Sequence, residues 1–157
     1  MLAARSPHPR LHQEDKTVKM IKLTSVIGAA GIAVALAGTP VSAEGPGETV
    51  KPVFERAIPN IPGKTLTALE VTYAPGGKSP SHFHPKSAFI YAHVLSGAIR
   101  SQVDDEPAKV YQVGEGFYEN PGSHHRVSEN ASASEPASLL AVFITDPTDT
   151  LTIPEVK

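Results

Sequence analysis

The sharpest alternation in the chain is TLTALEVTY, where Leu69, Val71 and Tyr73 share one face and Glu70 and Thr72 the other. A period of two is that of a half-buried strand, because successive side chains of an extended backbone point to opposite sides. Ala74-Pro75-Gly76-Gly77 ends this strand. The pattern then predicts an extended piece at 82–84, an apolar run at 89–95, a turn at Ser96-Gly97 and a strand at 98–103. Beyond the polar tip Asp104-Asp105-Glu106-Pro107, strands are predicted at 109–113, 117–119 and 138–145, with turns at Gly114-Glu115-Gly116 and Asn120-Pro121-Gly122. The segment before Thr65 is rich in Pro and Gly and reads as a lead-in, and residues 131–136 read as a loop. Seven or eight short strands with no convincing helix predict an all-β sandwich or barrel, best a jelly roll, in one domain.

Composition narrows the partners. With 15 prolines, 12 glycines and 6% aromatics, the chain suits a turn-rich compact domain. A net charge of −2 gives no field that would draw nucleic acid or anionic lipid, which leaves a small molecule or a metal. Cysteine is absent, so any metal must be held by His, Asp, Glu or Tyr.

The amino-terminal region has a different character. From Met20 the chain runs through Lys22 into an uncharged stretch at 23–43 that closes on Val41-Ser42-Ala43, a small-x-small site. This is the pattern of a secretory signal cleaved after Ala43, with translation expected from Met20. The abundance of Gly, Ala, Ser and Thr makes the stretch weakly apolar and favours cleavage over a retained anchor. Residues 1–43 are thus expected to be extension and signal, and 44–157 the exported domain, periplasmic or secreted and free of the membrane. That domain carries nine Lys and Arg against fourteen Asp and Glu.

Its five histidines are His82, His84, His93, His124 and His125, and four of them form two tight clusters. In a strand, residues i and i+2 face the same way about 7 Å apart, so His82 and His84 can converge on one ion. The turn at 120–122 is suited to aiming a third imidazole, His125, inward. His124, next to it, then points elsewhere. His93, at odd spacing from Ile90, falls on the opposite face. Phe89, Tyr91, Phe117 and Tyr118 are read as core residues, Glu115 as a turn residue and residues 104–106 as a solvated hairpin tip.

At these residues the chain resembles the cupin superfamily. The first cupin motif is matched by Gly76, five residues, His82-Phe83-His84 and the later Gly97. The second is matched by Gly114, five residues and Asn120-Pro121-Gly122-Ser123-His124-His125. The resemblance covers about residues 66–143. It implies a double-stranded β-helix, a homodimer, and a divalent metal on His82, His84 and His125, with iron(II), manganese, nickel and zinc all open. Two departures stand out. The family glutamate falls at Ala88 or Phe89 counting forward from His84, and at Ile90 counting back from Gly97, none of them acidic. Glu129 stands where the second motif has Asn, with Asn130 next to it. Glu119 is the nearest substitute for the carboxylate, its face left open by an unknown strand parity, and a bare three-histidine site is the simpler expectation.

Two functions follow from this pattern. One is a metal-dependent oxygenase, isomerase or lyase acting on a small molecule, with Glu119 or Tyr118 as proton carrier if either reaches the cavity. The other is a non-catalytic binder of metal or ligand, since the fold hosts both roles.

Overall fold

The computed structural model describes residues 45–156, so the predicted signal and cleavage site at 1–43 lie outside the described residues. Ten strands run in chain order: β1 (Glu48–Ala57), β2 (Thr65–Tyr73), β3 (His82–Phe83), β4 (Phe89–Ser96), β5 (Ala98–Val103), β6 (Lys109–Gln112), β7 (Gly116–Glu119), β8 (His124–Asn130), β9 (Ala137–Thr145) and β10 (Ile153–Pro154). They form two five-stranded antiparallel sheets with orders β1-β2-β9-β4-β7 and β10-β3-β8-β5-β6. The predicted all-β jelly roll is the observed fold.

The inner faces of the two sheets differ in chemistry. The first supplies most of the apolar core, with Val71 and Tyr73 of β2, Ile90, Ala92 and Val94 of β4, Phe117 of β7, and Leu139, Ala141 and Phe143 of β9. From the second sheet, Ile99 joins the core, whereas Ser101, His125, Ser128 and Asn130 are buried polar groups. A hydrophobic wall therefore faces a wall of hydrogen-bonding groups, which is where buried chemistry can be held without collapsing the core.

Three strands go beyond the expected set. β1 occupies the supposed lead-in and tolerates Pro52 because it is a sheet edge, where a missing N–H costs no ladder bond. β8 carries inward His, Ser and Asn in place of apolar residues and so shows no hydrophobic alternation. β10 is a two-residue bridge to β3.

Two irregularities set which side chains face inward. In β8 the register against β5 pairs Val127 with Gln102 and His125 with Val103, leaving Arg126 as an extra residue. Such a bulge shifts the alternation by one, so His125 and Ser128, three residues apart, are both buried. The added residue also accounts for the displaced asparagine: Asn130 is buried, donates from Nδ2 to the carbonyls of Ala74 and Glu135, and accepts the Ser132 N–H, locking the loop that follows. In β1 the register skips Val53, so that Phe54 pairs with Ala68 and Glu55 with Thr67.

Glycine is required at Gly97, where φ is 66° and an added Cβ would lie 2.6 Å from the Pro136 carbonyl oxygen. Gly122, at φ 79°, closes the turn that delivers Ser123 and β8.

Candidate metal centre

The three predicted imidazoles come together. His82 of β3 is the direct cross-strand partner of His125 of β8, so both point to the interior, while Phe83 and His124, the next pair, point the other way and stack at 4.0 Å between ring centroids. His84 follows β3 and is fixed by its N–H to the Ser123 carbonyl at 3.0 Å. The ring centroids of His82 and His84 are 4.9 Å apart, those of His82 and His125 5.3 Å, and those of His84 and His125 6.2 Å. One ring nitrogen from each lies within 4.8 Å of the others, a spacing that could hold a metal ion.

The other nitrogen of each ring is tied down. Nδ1 of His82 donates to the Pro80 carbonyl at 2.7 Å, Nδ1 of His84 donates to the Leu151 carbonyl at 2.8 Å, and Nε2 of His125 lies 2.9 Å from Ser101 Oγ. A carbonyl oxygen only accepts, so in the neutral rings of His82 and His84 the proton sits on Nδ1 and Nε2 is left as a lone pair.

Glu119 adds a carboxylate to this cluster. β7 alternates with Phe117 and Glu119 buried and Tyr118 exposed. The Glu119 oxygens stand 3.2 Å from His84 Nε2 and 3.2 Å from His125 Nδ1, with Ser123 Oγ donating to Oε2 at 3.4 Å. Burial pushes the Glu119 carboxyl up, but the His125 imidazole beside it outweighs that and holds it well below the ordinary carboxylate range. His84 Nε2 is fully buried yet has no hydrogen-bond partner, because the proton of the neutral ring sits on Nδ1 and the carboxylate it faces has none to donate. A lone pair facing a carboxylate across 3.2 Å is unfavourable without a cation, and this orphaned nitrogen is the feature that best fits the donor set to a metal. Burial, with the neighbouring His84 and His125, lowers His82 to about 4, so at neutral pH its ring is an uncharged donor.

Other sequence expectations resolve as follows. His124 is buried outside the cluster, with Nε2 2.8 Å from Ser81 Oγ. His93 faces outward, 3.2 Å from the Tyr91 hydroxyl. Of the four aromatics assigned to the core only Phe117 is buried; Phe89, Tyr91 and Tyr118 are 44%, 46% and 62% exposed, because they occupy the outward parity of β4 and β7. Tyr118 therefore cannot act in the cavity. The hairpin tip does more than meet solvent: Asp104 accepts the His124 N–H at 2.8 Å and, with Asp105, holds Arg126 at the bulge.

The cluster forms one part of a cavity of about 250 Å³ between the sheets. Leu69, Val71, Leu139 and Ala141 line its body, and residues 149–152 and Pro154 of the C-terminal segment also border it. Elsewhere on the wall the Tyr73 hydroxyl bonds Ser79 Oγ at 2.6 Å and Ser128 Oγ at 2.9 Å, and Ser79 in turn donates to Glu48. Burial raises the Tyr73 hydroxyl to about 12, in spite of those two hydrogen bonds.

This fold, with two antiparallel sheets enclosing inward histidines, is the all-β cupin fold, the double-stranded β-helix. Residues 69–143 match the family model described as Cupin domain. Among solved structures, the chain is similar to a double-stranded β-helix protein from Klebsiella pneumoniae (18% identity, 74% of this chain and 90% of that one, TM-score 0.55). It is also similar to an RmlC-like cupin family protein from Methanocaldococcus jannaschii (14% identity, 64% of this chain and 82% of that one, TM-score 0.51). A third similar structure is a recombinant oxalate oxidase in complex with glycolate, at 22% identity over 74% of this chain with a TM-score of 0.53. This chain spans 57% of the oxalate oxidase chain. Among curated proteins, none matches the sequence.

Proposed function

We propose that this chain is an exported small cupin in which His82, His84 and His125 hold a divalent metal ion and Glu119 balances its charge, and that it is a metal-dependent enzyme acting on a small molecule in the adjoining cavity. The observation that carries this reading is the convergence of three ring nitrogens within 4.8 Å, each from a ring whose second nitrogen is already occupied. Neutral imidazoles with oriented lone pairs suit iron(II), manganese, nickel or zinc. The ion, when bound, supplies Lewis acidity and open positions for a ligand. The protein's own share is orientation of the three rings, exclusion of water by the apolar wall, and a carboxylate at the ligand cluster.

A non-catalytic binding role is favoured by one specific feature: both oxygens of Glu119 stand 3.2 Å from imidazoles of the cluster, which commits the nearest acid–base group to the ligand set and away from a bound molecule. Turnover of a bound small molecule by the metal-loaded protein separates the two roles. Export follows from residues 1–43 read as a cleaved signal, and a homodimer without nucleic-acid or membrane contacts completes the proposal.

The metal reading is tested by elemental analysis of tag-free protein expressed from the full chain, and by titration of apo protein with each of the four metals. A stoichiometric ion is expected. His82→Ala should weaken binding by more than about 100-fold, beyond the effect typical of a lost supporting residue. Metal-free protein whose affinity for added metal is unchanged by His82→Ala overturns the site.

A further inference from the structure

The cavity wall beyond the ion carries a charge pattern that restricts what can occupy it. Among the described residues, no Lys or Arg lines the cavity. Its ionisable lining, apart from the three histidines and the hydroxyl of Tyr73, consists of carboxylates: Glu119 at the cluster, Glu48, Asp149, and Glu55 on the exposed part of β1. Several polar groups of the wall are also engaged in hydrogen bonds of their own. The Tyr73 hydroxyl is shared between Ser79 and Ser128, Ser79 donates to Glu48, and Ser87 donates to Asp149. What remains exposed to a ligand between the cluster and the rim is mainly hydrocarbon, from Leu69, Val71, Leu139 and Ala141, with the uncharged hydroxyls of Thr67, Thr150 and Thr152.

Resting on the metal reading above, we propose that the substrate is a molecule whose oxygen donors sit at one end, against the ion, and whose remaining body is uncharged and apolar. An anionic group on that body would lose its hydration without gaining a cation, and would face the field of Glu48, Glu55 and Asp149. An aromatic or aliphatic body gains instead from contact with the hydrocarbon wall. Ligands with a second, distal carboxylate are disfavoured by the same wall.

The test compares two chelating probes that present the same pair of hydroxyls to the ion and differ at the far end: 4-methylcatechol, with an uncharged methyl group, and 3,4-dihydroxybenzoate, with a carboxylate. Tag-free protein from the full chain is loaded with cobalt(II) and titrated without oxygen, binding being read from the visible bands of cobalt and from calorimetry. The uncharged probe is expected to bind at least tenfold more tightly. Glu55→Lys, a change at an exposed position, should raise the affinity for 3,4-dihydroxybenzoate at least threefold and leave that for 4-methylcatechol unchanged. Equal affinities, tighter binding of the carboxylate probe, or no response of bound cobalt to either probe overturns the proposal while the metal site stands. Failure of cobalt to bind at all overturns the metal reading itself.

Discussion

A buried imidazole flanked by two others resists protonation, and His82 is in that position. Burial, reinforced by His84 and His125, brings it down to about 4 from an ordinary value of 6.5. Between those two values the unfolded chain binds a proton that the folded chain does not, so unfolding stability rises with pH across that interval. The contribution of His82 is therefore complete above pH 6.5 and is lost progressively as the pH falls toward 4, to the extent of about 2–3 kcal/mol. Glu119, held below its ordinary range, shifts stability with the same sign but further into acid, below 4.5. In metal-free protein the melting temperature should be level from neutral pH upward and decline from pH 6.5 downward, with a shallower decline in His82→Gln. A melting temperature that is level down to pH 4 would show that His82 protonates freely. Protons and metal compete for the same Nε2, so metal affinity should fall through the same interval.

At the scale of strands, the carboxylate missing from the first motif has a counterpart one strand away. Ile90 of β4, the position reached by counting back from Gly97, is the direct cross-strand partner of Glu119 of β7, and both are buried on the inner face. Moving the carboxylate across the ladder should therefore preserve its relation to the imidazoles. Glu119→Ile is expected to weaken metal binding at least about tenfold. Adding Ile90→Glu to it should restore most of the loss, measured by competition with a chromophoric chelator, and a double variant as weak as the single one would confine the role to β7. This relation was invisible in the sequence because it depends on register, whereas His82-x-His84 was legible from parity within one strand. His125 was legible too, from the turn at 120–122, although what turns it inward together with Ser128 is the extra residue at Arg126. Bulges leave no hydrophobic signature, and β8 has almost no apolar pattern to interrupt. β1 was hidden by Pro52 and by flanking Pro and Gly, which read as a lead-in until the edge of the sheet shows why they are tolerated.

For the molecule as a whole, the outer face of the first sheet poses the question of what covers it. One cross-strand row runs unbroken over it: Phe54 opposite Ala68, Ala68 opposite Val142, Val142 opposite Tyr91 and Tyr91 opposite Tyr118. The neighbouring row joins Leu66, Ile144 and Phe89, with Phe89 stacked near Tyr118 at 6.1 Å between ring centroids. Phe54, Phe89, Tyr91 and Tyr118 are each more than two-fifths exposed, and a contiguous apolar face of this kind marks an interaction surface. A second copy is the occupant that the cupin resemblance implies. A two-fold arrangement would also set aromatic rows against themselves, as an isologous interface requires. The protein should therefore be a dimer by light scattering at micromolar concentration, and Tyr91→Lys with Tyr118→Lys should shift it to monomer. Because these side chains have the outward parity of β4 and β7, the same pair of changes should leave metal affinity unaltered. A dimer insensitive to both changes would move the interface elsewhere, and a wild-type monomer would remove it.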